Sequence, residues 1–144
     1  MSDLYIPGDP ETIVTLTGLI DEGSIGAVFS GELNGEQLAI KVVPLEDPMI
    51  KSEVENEIRM LKLSVKSEYI VGFRGAWCKD DHAWIALEFC EVGSLIDMVQ
   101  ICNHTLSLDE ARAVCVSTIL GEFSSFCLSS FWQKKTLYDL RKLT

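Results

Sequence analysis

Residues 20–28 read Ile20-Asp21-Glu22-Gly23-Ser24-Ile25-Gly26-Ala27-Val28, and the next apolar run reads Leu38-Ala39-Ile40-Lys41. The first run sets two glycines between strand-forming residues, so backbone N–H groups there can approach an anionic ligand with no Cβ in the way. A glycine pair in a hairpin is more often only a turn. The second run puts a lysine among apolar neighbours on a strand, where alternation sends its ammonium either to solvent or into a cleft. For a lone strand lysine, solvent is the usual outcome. The stretch after it changes the weighing: Val54, Ile58 and Leu61 fall at i, i+4 and i+7 of a helix, and Glu57 lies beside them. The inward face of that helix then carries one carboxylate, the natural partner for a buried ammonium.

Working outward, residues 13–19 alternate and are rich in β-branched types, which predicts a first strand. Residues 27–30 give a second strand, Asn34-Gly35 signals a hairpin, and residues 37–43 give a third. Pro44 and Pro48 end this meander, and Ser52 stands where it can cap the helix. Residues 69–78 and 82–90 read as two more strands joined at Lys79-Asp80-Asp81. The expectation is an α+β fold with a five-stranded antiparallel sheet and one helix. After Gly93 the signals turn helical, with a short helix over 94–101 and a longer one from Ser107. Asp109 and Glu110 occupy its first turn, where the helix dipole favours negative charge. Leu108, Ala111, Cys115 and Ile119 form an apolar stripe along it. The spacing allows this helix to continue past Gly121 through Phe123 and Phe126, whereas the serine pairs Ser124-Ser125 and Ser129-Ser130 discourage it.

The chain has 144 residues, 47% of them apolar and 24% charged, which suits one ordinary globular domain and excludes collagenous, low-complexity and wholly disordered classes. Its 22 acidic and 12 basic residues give a net charge of −10, so general affinity for nucleic acid or anionic membranes is not expected. The charge is unevenly spread, because only 2 of the acidic residues but 4 of the basic ones follow Gly121. That tail also holds Phe123, Phe126, Phe131, Trp132 and Tyr138, a different composition from what precedes it. Five cysteines, Cys78, Cys90, Cys102, Cys115 and Cys127, never reach C-x-x-C spacing, so free thiols in a reducing compartment are expected rather than a zinc site or redox pair. Met1-Ser2-Asp3 opens no basic, then apolar leader, and no run is long enough to span a membrane. A soluble, cytoplasmic protein is the expectation.

The ordered set Gly23-x-x-Gly26-x-Val28, Leu-Ala-Ile-Lys41, Glu-Asn-Glu57-Ile-Arg-Met-Leu, Tyr-Ile-Val-Gly-Phe and Trp84-Ile-Ala-Leu-Glu-Phe-Cys90-Glu-Val-Gly-Ser-Leu resembles the small lobe and hinge of a eukaryotic protein kinase. Within that family it is most similar to the sterile-twenty-like and germinal-centre serine/threonine kinases. The resemblance implies ATP as ligand and phosphoryl transfer from MgATP to protein serine or threonine. By position, it implies that Gly23, Ser24 and Gly26 cover the phosphates while Ile20, Val28 and Ala39 form apolar walls for the adenine. Lys41 would hold the α- and β-phosphates, oriented by Glu57; Glu53, one turn earlier, is the rival for that ion pair, and Glu55 would face away. Leu87 would stand as gatekeeper before a hinge whose backbone from Glu88 to Cys90 meets the adenine edge.

Two departures from the family pattern stand out. Asp21 occupies the position of the first loop glycine, adding a Cβ and a negative charge near an anionic ligand. His82 and His104 are the only histidines, and neither opens a His-Arg-Asp catalytic loop; there is no Asp-Phe-Gly either. The family's catalytic aspartate and metal ligands are therefore missing from these 144 residues, so no catalytic or metal-binding position is assigned. The expected organisation is an extension over 1–12, a partial kinase domain over 13–121 with two helices of an incomplete large lobe, and a divergent tail over 122–144. Such a chain is expected to be truncated and inactive alone. The alternatives are a noncatalytic, kinase-like module that engages a protein partner or scaffold, and an unstable product whose helical stripe is left exposed.

Overall fold

The computed structural model describes residues 3–103 and 105–124. The chain divides into two compact units: Met1–Val65 with Gly72–Phe89, and Lys66–Val71 with Cys90–Thr144. His104 and the expected tail aromatics Phe126, Phe131, Trp132 and Tyr138 lie outside the described residues, as does Cys127.

The first unit is built on a five-stranded antiparallel sheet. Its strands are β1 (Val14–Gly23), β2 (Gly26–Leu33), β3 (Glu36–Pro44), β4 (Phe73–Lys79) and β5 (His82–Glu88), in the order β1-β2-β3-β5-β4. The turn from β2 to β3 has Asn34 at φ 52° and Gly35 at φ 83°, both left-handed, the geometry that the Asn-Gly pair favours in a two-residue hairpin. One helix, α1 (Pro48–Leu63), crosses from β3 to β4. It packs its buried Val54, Ile58 and Leu61 toward β3 and β4. Alternation along the strands splits the core into two layers. Leu38, Ile40, Trp84, Ala86, Trp77 and Val14 cluster on one face. Ala39, Val43, Ile85 and Leu87, also buried, fall on the other. Each large side chain among these contributes about 1.5–3 kcal/mol relative to exposure.

The residues ahead of β1 belong to this unit. Ile6 N–H donates to the carbonyl of Ala76 (2.7 Å) on β4, the strand at the end of the sheet. Asp9 then caps a 3-10 turn over Pro10–Thr12, and Pro10 is fully buried. The free edge of β4 is thus covered by the chain's own N-terminal segment, one of the ways proteins protect an open edge.

Two expectations are corrected. The helix does not await Ser52: Asp47 accepts from the Met49 N–H (2.8 Å) and Pro48 takes the first helical position, so α1 begins a turn earlier. Proline is preorganised for that first turn, which is why it starts this helix as well as ending the strand. Residues 69–71 are not strand, although Tyr69-Ile70-Val71 has strand composition. The pairing of β4 with β5 begins at Phe73, and residues 66–71 fall in the second unit.

The second unit holds α2 (Leu95–Cys102) and α3 (Leu108–Ser124). Ser94 closes a capping box with Asp97, and Ser107 exchanges the same pair of bonds with Glu110. Ser94 holds the Asp97 carboxyl below the usual range, first through its hydroxyl and then through its backbone N–H. The helix α3 does continue past Gly121. That glycine is buried, and an added Cβ would stand 3.3 Å from the Tyr69 carbonyl oxygen, so its absence lets helix and segment 66–71 approach. The stripe read from the sequence is open instead: Leu108, Cys115 and Ile119 are exposed.

Candidate functional site

The site grows from one rung of the sheet. Asp21 on β1 stands opposite Val28 on β2, Val28 opposite Lys41 on β3, and Lys41 opposite Ile85 on β5. Directly opposed residues share a face, so Asp21, Val28, Lys41 and Ile85 look to the same side. Two residues along, Ala39 stands opposite Leu87 and on that same side. Seven of the eleven residues expected to meet the nucleotide lie on strands of this sheet besides Glu88: Ile20, Gly23, Gly26, Val28, Ala39, Lys41 and Leu87.

Above Lys41, the helix supplies the carboxylate. The Lys41 ammonium donates to both oxygens of Glu57 at 2.8 Å. The side chains are 22% and 8% exposed, respectively, so this is a largely enclosed pair rather than a surface contact. Enclosure raises the cost of separating such charges, because neither is well hydrated once its partner is gone. Glu53 is exposed and does not contest the pair, while Glu55 reaches Arg59 on the outer side of α1 at 3.5 Å. Helical spacing turns Glu55 away but leaves Glu53, one turn before Glu57, on nearly the same side, so the pairing of Glu57 rather than Glu53 with Lys41 is a finding of the structure.

The glycine turn is tight at one point. A Cβ on Gly26 would run into the Val42 carbonyl oxygen, so this position demands glycine for packing between β2 and β3. Gly23 pairs with Gly26 across the turn, where an added Cβ meets nothing closer than 3.7 Å. Ser24 at the tip is exposed. The strand β1 carries two register shifts, between Leu16 and Gly18 and between Leu19 and Asp21. The second sits at Ile20, which is 49% exposed, and bulges of this kind re-aim side chains beside functional turns.

At the far end of β5, Glu88 is committed to the chain itself. Its N–H donates to the Gly72 carbonyl (2.7 Å), and its carboxylate accepts from the Gly72 N–H (3.2 Å). Of the backbone groups expected to meet an adenine at this residue, the N–H is thus already engaged. This bond joins residues 16 apart through a bend with no periodic signal, so no sequence pattern announces it. Leu87, just before it, is 4% exposed. Cys90 lies in the second unit, where its carbonyl accepts from the Gly93 N–H (3.1 Å). Among the described residues no group of three or more His, Cys, Asp or Glu is placed to hold a metal ion.

Known proteins give the same direction. Residues 14–122 match the protein kinase domain. Serine/threonine-protein kinase 4 homolog B of Dictyostelium discoideum is 33% identical over 126 residues, covering 84% of this chain and 11% of its own length. Serine/threonine-protein kinases dst4 and dst1 of the same organism are 32% and 34% identical, covering 78% and 81% of this chain and 24% and 16% of theirs. The chain therefore spans between about a tenth and a quarter of the length of these curated relatives.

Proposed function

The chain belongs to the protein kinase family, and from that premise we propose that its first unit is the nucleotide-holding part of a protein serine/threonine kinase. The observation that carries this reading is the Lys41–Glu57 pair, closed at 2.8 Å on both carboxylate oxygens and set on the rung of Val28. An ammonium fixed in this way presents a point charge to the α- and β-phosphates without having to be ordered when the ligand arrives. The backbone of Gly23, Ser24 and Gly26 would lie over the phosphates. Ile20, Val28 and Ala39 would face the adenine, with Leu87 limiting the depth of its pocket and the backbone of Glu88 to Cys90 meeting its edge. Three features support a nucleotide here: a turn that tolerates no Cβ at Gly26, a shared apolar face at Val28, Ala39 and Leu87, and an enclosed cation beside them.

The same residues do not fit the metal. In this family Mg2+ is held by an asparagine and an aspartate of the catalytic and Asp-Phe-Gly loops, and these 144 residues contain neither loop. We accordingly propose that the 144-residue polypeptide on its own binds nucleotide in residues 13–121 and does not transfer the phosphoryl group. Its free thiols, Cys78, Cys90, Cys102 and Cys115, suit the reducing cytoplasm proposed as its location. No helix among the described residues is long and apolar enough to cross a membrane.

Thermal unfolding with and without ATP tests the reading. A ligand at 100 times its Kd adds about 2.7 kcal/mol to stability, and Lys41→Ala should remove that gain. An unaltered midpoint at millimolar ATP overturns the nucleotide role, and phosphorylation of a generic protein substrate by the purified chain overturns its proposed inactivity. A second reading, a noncatalytic module engaging a protein partner or scaffold, draws on Asp21, whose carboxylate stands on the Lys41 rung and opposes a phosphate there.

A further inference from the structure

The N-terminal segment touches three separate parts of the first unit in succession. The Asp3 carbonyl accepts from Lys62 Nζ (2.8 Å) in the last turn of α1. Leu4 is buried and Tyr5 half-buried, its hydroxyl within electrostatic reach of Glu55 and Arg59 of α1 and of Cys78 of β4. Ile6 then pairs with Ala76 along the β4 edge, its Cδ1 lying over Gly75 so closely that a Cβ there would stand 2.8 Å away. Beyond the edge, Asp9 and Glu11 both pair with Lys79, and Val14 joins the cluster around Trp77 on the opposite face of the sheet. Residues 3–14 therefore begin at the helix, wrap the free edge of β4 and finish on the far layer of the core.

The helix positions that this segment engages are not random. At about 100° per residue, Glu57 sits roughly 60° to one side of the Val54–Ile58–Leu61 face, while Glu55, Arg59 and Lys62 sit roughly 80–140° to the other side. An apolar face alone resists rolling of a helix only weakly, because a small rotation exchanges one apolar contact for another. Contacts on both flanks fix the roll. We propose that residues 3–13 act as a strap that sets the rotation of α1 and thereby holds Glu57 on Lys41, with Tyr5, Ile6 and Lys62 as positioning residues. This deepens the nucleotide reading and rests on it for any effect on ligand, but the Lys41–Glu57 geometry can be tested with no ligand present.

The test is a double-mutant cycle on the full 144-residue chain. Unfolding equilibria are measured for the unaltered protein, Lys41→Met, Glu57→Gln and the double variant, first in the native background and then with Ile6→Pro, which deletes the N–H that pairs with Ala76. With the strap in place, the two side chains should couple by about five-fold or more in the folding equilibrium constant. In the Ile6→Pro background this should fall to within about two-fold of unity. Should Ile6→Pro prevent folding, Lys62→Met carries the same cycle, since Lys62 is exposed and loses only its bond to Asp3. Tyr5→Phe, which keeps the ring, should retain the coupling. A merely structural strap would lower stability equally in all four chains and leave the coupling unchanged. Coupling that is absent from the native background, or that persists in the foldable strap variant, overturns the proposal. ATP titration is run in parallel: failure of ATP to stabilise the unaltered chain retires the nucleotide reading, while the cycle still decides the strap.

Discussion

The two units use similar apolar residues to different ends. In the first, Leu38, Ile40, Val43, Ile58 and Ile85 are less than 2% exposed, enclosed between a sheet, one helix and the segment that wraps its edge. In the second, α2 has no buried residue, and Ile96, Ile101, Leu108 and Ile119 are all more than half exposed. Both helices there are well capped, by Ser94 with Asp97 and by Ser107 with Glu110. Local signals thus suffice to write a helix, but burial requires a surface of matching shape. The residues placed at the site gain from this contrast: Lys41 and Glu57 belong to the unit whose interior is closed, so their geometry is set by packing rather than by the pair alone.

The comparison is broken most decisively by core truncation. Ile58→Ala and Ile85→Ala should each cost about 2–5 kcal/mol, read as a loss of chemical-denaturation midpoint, whereas Ile119→Ala on α3 should stay within about 0.5 kcal/mol. Equal losses in the two units would mean that the exposed stripe is covered in solution. Next in size, Lys41→Ala leaves the Glu57 carboxylate 8% exposed and without its cation. An enclosed group so stranded costs about 1–3 kcal/mol of folding stability. The reverse change, Glu57→Gln, keeps an acceptor and should cost less. An opposite ranking would place the pair in water.

How much of this could be read beforehand depended on whether a residue's role was written in a period. Lys41 and Glu57 were legible only together, because alternation leaves a lone strand lysine to solvent or cleft and the carboxylate beside the apolar face of the helix tips the choice. Gly26 was legible as a turn, though not the Val42 carbonyl that forbids a Cβ there. Asp47 is hard to read as a cap because Pro48 beside it also reads as a terminator of the strand. Tyr69-Ile70-Val71 has the composition of a strand, and tertiary context overrode it, as it does for short β-prone runs. The strap was invisible: residues 3–12 include Pro7, Gly8 and Pro10 and have no period, so they read only as part of an extension ahead of the first strand. Their contacts depend on Lys62, Ala76 and Lys79, which come near only after the sheet is assembled.

Asp21 sharpens the comparison within the site itself. Two strand spacings, roughly 10 Å between backbones, separate it from Lys41 along the rung, and its negative charge on that face opposes a bound phosphate. Asp21→Asn should tighten ATP by a few-fold, about 1 kcal/mol, in a calorimetric titration and leave adenosine unaffected. Tightening of both ligands alike would trace the effect to the fold of β1 rather than to charge.

The smallest effect examines how firmly the first unit holds its own N-terminal segment. Burial pushes the Tyr5 hydroxyl up to about 12, with Cys78 and Glu55 adding to the rise and Arg59 opposing it. The hydroxyl has no hydrogen-bond partner, so only the Arg59 charge favours the phenolate, and burial outweighs it. Because the folded value lies above the unfolded one of 10.0, the folded state binds the proton more tightly, and the resulting stability is complete below pH 10 and lost as pH rises toward 12. The ring is only partly enclosed, so solvent screening reduces the effect to about 1 kcal/mol. Other tyrosines and the lysines also titrate in this window, and Tyr5→Phe removes this one contribution alone. The difference in unfolding free energy between the native chain and Tyr5→Phe should therefore be constant from pH 7 to 9.5 and then shift against the native chain by pH 12. A difference that stays flat throughout would put the Tyr5 hydroxyl in water.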